Sequence, residues 1–270
     1  MLQRAPRDPL QGDSDAGQSD VAMGPGAAAG RPLPYRQATN LLDCIRIMGE
    51  ANADECRHQI LGTPRPVPPI CVPAGDPGWS DFTGTAPASS SFAAETDFHF
   101  EVMPTDWGFS IIRAIFDGAS SWRKPPSGPT RAAVIADCLK FMPGGTYNLT
   151  AVPTCAAAIQ PNPALQATTA AECTTVIGAE FDRVAAAESA RLLKHEQYHF
   201  RLACAMASKG TAALRQASPQ PADQIRNIVA TKANNLTTLY DNQTTHGCNQ
   251  ASQDAWQQRI DGGLPGTTVP

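Results

Sequence analysis

"GAEFDRVAAAESARLLKHEQYHFRLACAMASKG", Gly178 to Gly210, is the stretch on which the fold turns. It contains no proline, and Gly210 closes it as a helix C-cap residue would. Val184, Glu188, Leu192, His195, His199, Leu202 and Met206 recur at intervals of three and four, the stripe of one helix face. The spacing predicts a long helix with one buried side, and it puts two histidines on that side.

Inside this helix, "KHEQYH" (Lys194–His199) has the pattern H-E-x-x-H. Positions i and i+4 stack on one helix face, so His195 and His199 can present imidazole nitrogens to one metal ion. Glu196 stands next to the first histidine, within reach of a water on that ion. Zinc lowers the pKa of such a water towards neutrality, and a glutamate can take its proton as it attacks a polarised carbonyl. The flanks are apolar, with Leu192 and Leu193 before and Phe200 and Leu202 after, as a buried helix requires. Two surface histidines on an ordinary helix are the plainer alternative, and they give Glu196 no task.

Working outward, a second helix is expected to begin near Pro221, aligning Ile225, Ile228, Val229, Lys232, Leu236 and Leu239. A short last helix carries Trp256 and Ile260 one turn apart. Upstream the period changes to two. In "TDFHFEVM", Phe98, Phe100 and Val102 share one face, and His99 and Glu101 the other, the pattern of a strand. "SIIRAIF" and "TYNLTAV" are further strand candidates, the second after the turn signal Gly144-Gly145. Asn40 is placed to cap a helix holding Leu41, Leu42, Ile45 and Met48. Residues 1–38 are rich in Gly, Ala, Pro, Asp and Gln and read as a disordered leader. The fold class expected is α+β: a β-containing part (39–175) packed on a helical part (176–262), within one domain spanning 39–270.

The formal net charge is −4, which argues against binding driven by neutralising nucleic-acid phosphates. The one basic cluster, Arg123, Lys124 and Arg131, sits among prolines and reads as a solvated loop. No run of 18 apolar residues predicts a membrane span. The opening "MLQRAPRDPLQGDSDAGQSD" lacks the apolar centre of a secretory signal. The eight cysteines form no C-x-x-C pair. That disfavours a thiolate zinc knuckle and points to disulfides and an oxidising, extracytoplasmic or secreted destination, with a cytoplasmic one as the alternative.

A catalytic zinc needs a third protein ligand and one open position. The remaining histidines are His58, His99 and His246. His58 has no supporting context, and His99 lies on the polar face of a strand. His246 follows a polar, threonine-rich turn and precedes Gly247, so it can swing onto the motif helix.

"HEQYHF" followed by "LYDNQTTHGCNQASQDAW" resembles a family of bacterial domains of unknown function regarded as predicted zinc-dependent proteases. Their shared features are H-E-x-x-H on a long helix, then Y-D-x-x-T-x-H-G with a glutamine and a tryptophan downstream. Here Tyr240, Asp241, Thr244, His246, Gly247, Gln253 and Trp256 supply them. The likeness covers about Tyr147 to Asp261, and the N-terminal half has no counterpart. Phe200 and Arg201 stand where the family often has glycine.

The resemblance implies a zincin-like helical part and a bacterial metallopeptidase with a protein or peptide substrate. His195 and His199 would be zinc ligands and Glu196 the general base. His246 is the favoured third ligand, and Asp241 is the alternative or, failing that, orients an imidazole from behind. Tyr240 is a candidate donor to the developing oxyanion, or else a core tyrosine. If His199 and His246 hold one ion, Cys204 and Cys248 come together and a bridge between them is expected. Cys155 and Cys173 bracket one loop and are candidates for another.

The segment "LQRAP" (Leu2–Pro6) resembles segments of bacterial proteins associated with contractile injection systems. That implies a secretion or injection machinery as partner and an effector or toxin role. Two other functions fit the same motif: a zinc-binding structural or interaction module without turnover, and a zinc amidase acting on cell-wall peptide.

Overall fold

The structure is a computed structural model. It describes residues 41–48, 56, 68–105, 110–125, 128–142, 144–150, 160–215 and 221–270. The chain divides into two units, Met1–Val67 and Pro68–Pro270. In the first, the helix Leu41–Met48 carries buried Cys44, bridged to Cys56. The leader assigned to residues 1–38, the capping Asn40 and His58 lie outside the described residues.

The second unit is α+β. Its strands are β1 (Cys71–Val72), β2 (Ala94–Glu95), β3 (Phe98–Pro104), β4 (Ser110–Phe116), β5 (Trp122–Arg123), β6 (Tyr147–Asn148) and β7 (Gln166–Ala167). β3 and β4 form an antiparallel pair running from Phe98 opposite Phe116 to Pro104 opposite Ser110, and β1 adds to β4 in parallel. The alternation read in the sequence is the alternation of burial: Phe100 is buried while His99 and Glu101 face outward. "TYNLTAV" yields only the two-residue β6, paired with β7, and residues 151–159 lie outside the described part.

The motif helix runs Gly178–Arg215, preceded by a wider π turn over Cys173–Ile177. Gly210 does not end it. An added Cβ there would stand 2.6 Å from Val229 Cγ2 and 2.7 Å from Ile112 Cδ1. The glycine lets strand β4 and the next helix approach the motif helix closely. One residue on, the Thr211 hydroxyl accepts from the Ile112 N–H at 2.9 Å and donates to the Ile112 carbonyl at 3.2 Å. A second helix, Ala222–Thr244, follows with Pro221 at its N-cap, and a last helix spans Gln250–Asp261.

The main core lies between the sheet and these helices, with Phe100, Ile112 and Ala114 against Leu202, Met206, Val229, Tyr240 and Trp256. A smaller core gathers Val134, Cys138, Leu149, Cys173, Ile177 and Val184.

The basic cluster is not a solvated loop. Thr130 accepts from the Ala133 N–H at 3.2 Å and caps a helix over Arg131–Lys140, and Arg131 pairs with Asp182. Arg123 belongs to β5, stacks over Trp79 at 4.3 Å and donates to Ser189 Oγ at 3.0 Å. The prolines around the segment hid a helix that "TRAAVIADCLK" builds from its cap and its alanines.

Two expected disulfides are replaced by others. Cys204 is bonded to Cys71, not Cys248, tying β1 to the motif helix, and Cys173 is bonded to Cys138, not Cys155. Cys155 lies outside the described residues. Cys248 is itself disulfide-bonded. The reason is distance along the helix. The loop holding Cys248 meets the motif helix at Arg191 and His195. Cys204 lies roughly 14 Å further along at the rise of an α-helix, beyond the Cα separation of about 4.4–6.8 Å that a disulfide allows. The three disulfides formed among the described residues suit an oxidising compartment. Among the described residues, no helix is long and apolar enough to cross a membrane.

Candidate metal centre

His195 and His199 sit on the buried face of the motif helix, 1% and 5% exposed. The second helix crosses beside them and brings in Asp241 from its last turn. His195 Nε2 lies 3.0 Å from Asp241 Oδ1, His199 Nε2 lies 2.9 Å from the same oxygen, and the two Nε2 atoms are 3.2 Å apart. Three ligand atoms therefore make a near-equilateral triangle. In a tetrahedral zinc site with bonds of about 2.0–2.1 Å, ligand atoms are ~3.3 Å apart. Neutral imidazole nitrogens and a carboxylate oxygen are all acceptors on these faces, and acceptors converge in this way around a cation or a shared proton.

The electrostatics follow from that convergence. Burial works to raise the Asp241 carboxyl, but the adjacent His199 and hydrogen bonds with His195 and His199 hold it far below the usual carboxylate range. For His199, burial opposes the charged form, yet the Asp241 charge and its hydrogen bond outweigh burial and raise the imidazole above its ordinary value.

His195, His199 and Asp241 are the group that can hold a metal ion among the described residues. His246 is outside it. Its Nδ1 is 3.6 Å from Asp241 Oδ1, its side chain is 48% exposed, and its ring packs on Phe92 at 4.8 Å. The loop that carries it is unusual. Thr245, His246 and Gly247 have φ of 51°, 52° and 79° in succession, a left-handed path that costs non-glycine residues energy and often accompanies function. At Gly247 a Cβ would approach Arg191 Nη1 to 2.7 Å and His195 Cβ to 3.0 Å. The glycine there allows the loop to rest on the motif helix.

Glu196 is 4% exposed, and its Oε2 accepts from the Thr96 hydroxyl at 2.8 Å. It lines the same cleft as the triangle, a cavity of about 500 Å³ walled by Phe92, Thr96, Leu192 and His246 among others. A second cleft, about 620 Å³, runs beside the Cys71–Cys204 bridge and contains none of these groups. Chemistry, not size, selects the first.

Tyr240 is fully buried and does not line the cleft. Its ring stacks on His195 at 4.7 Å and meets Trp256 edge-on at 5.6 Å, and burial pushes its phenol well up. His99 is half-exposed beside Glu101, far from the role of a ligand. Thr96 carried no sequence signal, because its contact with Glu196 spans 100 residues of chain.

No family model, no curated protein and no solved structure matches the chain.

Proposed function

We propose that the protein is a zinc-dependent metallopeptidase with a zincin-like helical part, exported from a bacterial cell. The observation that carries this reading is the triangle of His195 Nε2, His199 Nε2 and Asp241 Oδ1 beside a buried glutamate in one cleft. A purely structural zinc site has four protein ligands and no use for a general base. Three protein ligands would leave one position for water, and Glu196 lines the same cleft. Asp241 is the third ligand in this reading, and His246 borders the cleft. The resemblance of "HEQYHF" and "LYDNQTTHG" to bacterial zinc-dependent proteases supports the same conclusion, and the disulfides support export.

His195, His199 and Asp241 would hold the ion. When bound, zinc polarises a substrate carbonyl and acidifies water. Glu196 accepts the proton of the attacking water and delivers it to the departing amine. Thr96 fixes the Glu196 carboxylate through Oε2, leaving the other oxygen for that water. Low exposure of Glu196 and both histidines keeps bulk water from competing for the transferred proton.

The test is zinc content and peptide hydrolysis for the wild type and Glu196→Gln. The variant should keep about one zinc per chain and lose at least ~100-fold in hydrolysis, the scale of general-base catalysis. Undiminished hydrolysis by Glu196→Gln would remove the assigned base.

A further inference from the structure

Of the disulfides with both partners described, two are sealed and one is open to solvent. Cys44, Cys56, Cys138 and Cys173 are all 0% exposed. Cys71 and Cys204 are only partly buried, and both line the second cleft of about 620 Å³.

This open bond sits at one end of a strap. From Cys71 to Trp79 the chain runs antiparallel to the motif helix and meets it at four residues in turn. Cys71 is bonded to Cys204. Asp76 accepts from Nε and Nη2 of Arg201, the first at 2.7 Å. The Pro77 carbonyl accepts from Gln197 Nε2 at 2.9 Å, and Trp79 Nε1 donates to Ser189 Oγ at 3.1 Å. Cys204, Arg201, Gln197 and Ser189 follow one another at helical intervals and form one stripe of the helix. From Asp76 onward the strap is held by polar contacts. Ahead of Asp76 it is held by the disulfide.

β1 lies in that first part and has little else to fix it. It is two residues long, below the usual length of a strand. It adds to β4 in parallel, and the Ala114 N–H donates to the Ile70 carbonyl at 2.8 Å. So short a pairing offsets little of the entropy of ordering the backbone. The covalent link to Cys204 supplies the constraint that pairing alone lacks.

We propose that Cys71–Cys204 is a redox-sensitive clasp: an external dithiol opens it through the second cleft while the buried bridges stay closed, and its opening releases β1 from β4 while the rest of the fold holds. Exchange requires a thiolate to reach one of the two sulfurs, so access decides which bond reacts. One thiolate of the dithiol attacks the Cys71 or Cys204 sulfur, which breaks the S–S bond and forms a mixed disulfide. The second displaces the protein sulfur from that intermediate. The dithiol leaves as a disulfide, and its two electrons and two protons end on the thiols of Cys71 and Cys204. The ties at Asp76, Pro77 and Trp79 contain no sulfur and survive, which keeps the change local. The chain is thereby closed at β1 in an oxidising compartment and open there in a reducing one.

The test uses the full wild-type chain in a dithiothreitol series, without added zinc or substrate, so it stands apart from the peptidase reading. Alkylation with peptide mapping follows each cysteine, and residue-resolved hydrogen exchange follows two amides of β4. Those amides have different partners: Ala114 donates to Ile70 beside β1, and Ile112 donates to the Thr211 hydroxyl of the motif helix. Cys71 and Cys204 should be alkylated at least ~10-fold faster than Cys44, Cys56, Cys138 and Cys173. Ala114 should then exchange at least ~10-fold faster, with Ile112 unchanged. The paired variant Cys71→Ser with Cys204→Ser should show the fast Ala114 exchange without any reductant. Should that variant fail to fold, the wild-type series carries the test. A buried bridge that opens as fast as Cys71–Cys204 would overturn the proposal. So would an Ala114 amide that stays protected once the bond is cut, or one that loses protection together with Ile112, the mark of global opening.

Discussion

Replacing Asp241 by alanine removes one corner of the ligand triangle and leaves His246 in place. Zinc sites with four protein ligands bind with about 10–16 kcal/mol in all, or ~2.5–4 kcal/mol per ligand. Loss of one ligand should therefore raise the zinc Kd by at least ~100-fold. His246→Ala should change it by no more than a few-fold, because that imidazole stands 3.6 Å behind the carboxylate oxygen and half in solvent. Thermal unfolding reads the difference. Zinc held at about 1,000 times Kd stabilises the native state by about 4 kcal/mol. For a unit the size of Pro68–Pro270 each kcal/mol is worth roughly 2–4 °C. Adding a strong chelator should thus lower the wild-type and His246→Ala midpoints by ~8–16 °C, and the Asp241→Ala midpoint, whose zinc is then only about 10 times Kd, by no more than ~3–6 °C. If instead Asp241→Ala keeps the full shift and His246→Ala loses it, His246 is the third ligand and the triangle has been misassigned.

The acid–base behaviour of the metal-free chain has a defined sign. The folded pKa of His199 is raised, so its stabilising contribution is complete below the unfolded value near 6.5 and is lost as pH rises through the folded value. That of Asp241 is depressed, so its contribution is present above about 3.9 and is lost as pH falls through the folded value. Metal-free protein should accordingly weaken as pH rises above about 6.5. The zinc-loaded form should gain over the same range, because protons and the ion compete for His199; urea midpoints across pH, with and without chelator, measure both. Gly210→Val should cost about 1–3 kcal/mol of unfolding free energy, since its side chain meets Val229 and Ile112 in a filled core. A stability equal to wild type would contradict the close approach. Non-reducing peptide mapping should recover Cys71 joined to Cys204 and Cys138 joined to Cys173. A Cys204–Cys248 peptide would show that the loop meets the helix elsewhere.

The sequence by itself determined what depends on local periodicity. The three- and four-residue spacing from Val184 to Met206 specified a helix and its buried face, and the i, i+4 relation put His195 and His199 side by side with Glu196 adjoining. The two-residue alternation at Phe98, Phe100 and Val102 specified β3, and β4 was legible from "SIIRAIF". These patterns are visible because neighbours in the chain are neighbours in space. Tertiary structure decided the rest. Asp241 and His246 lie five residues apart, and both suited the motif chemically. The crossing of two helices and the left-handed turn after Thr244 set one against the histidines and the other at the rim of the cleft. Gly210 looked like a helix end because glycine serves equally as a terminator and as a point of close contact, and only the packing of Val229 and Ile112 tells which. The disulfide partners were hidden for the same reason. Cysteine spacing carries no record of which strands and helices pack together, and Cys204 meets Cys71 across 133 residues because β1 lies beside the strand on which the motif helix rests.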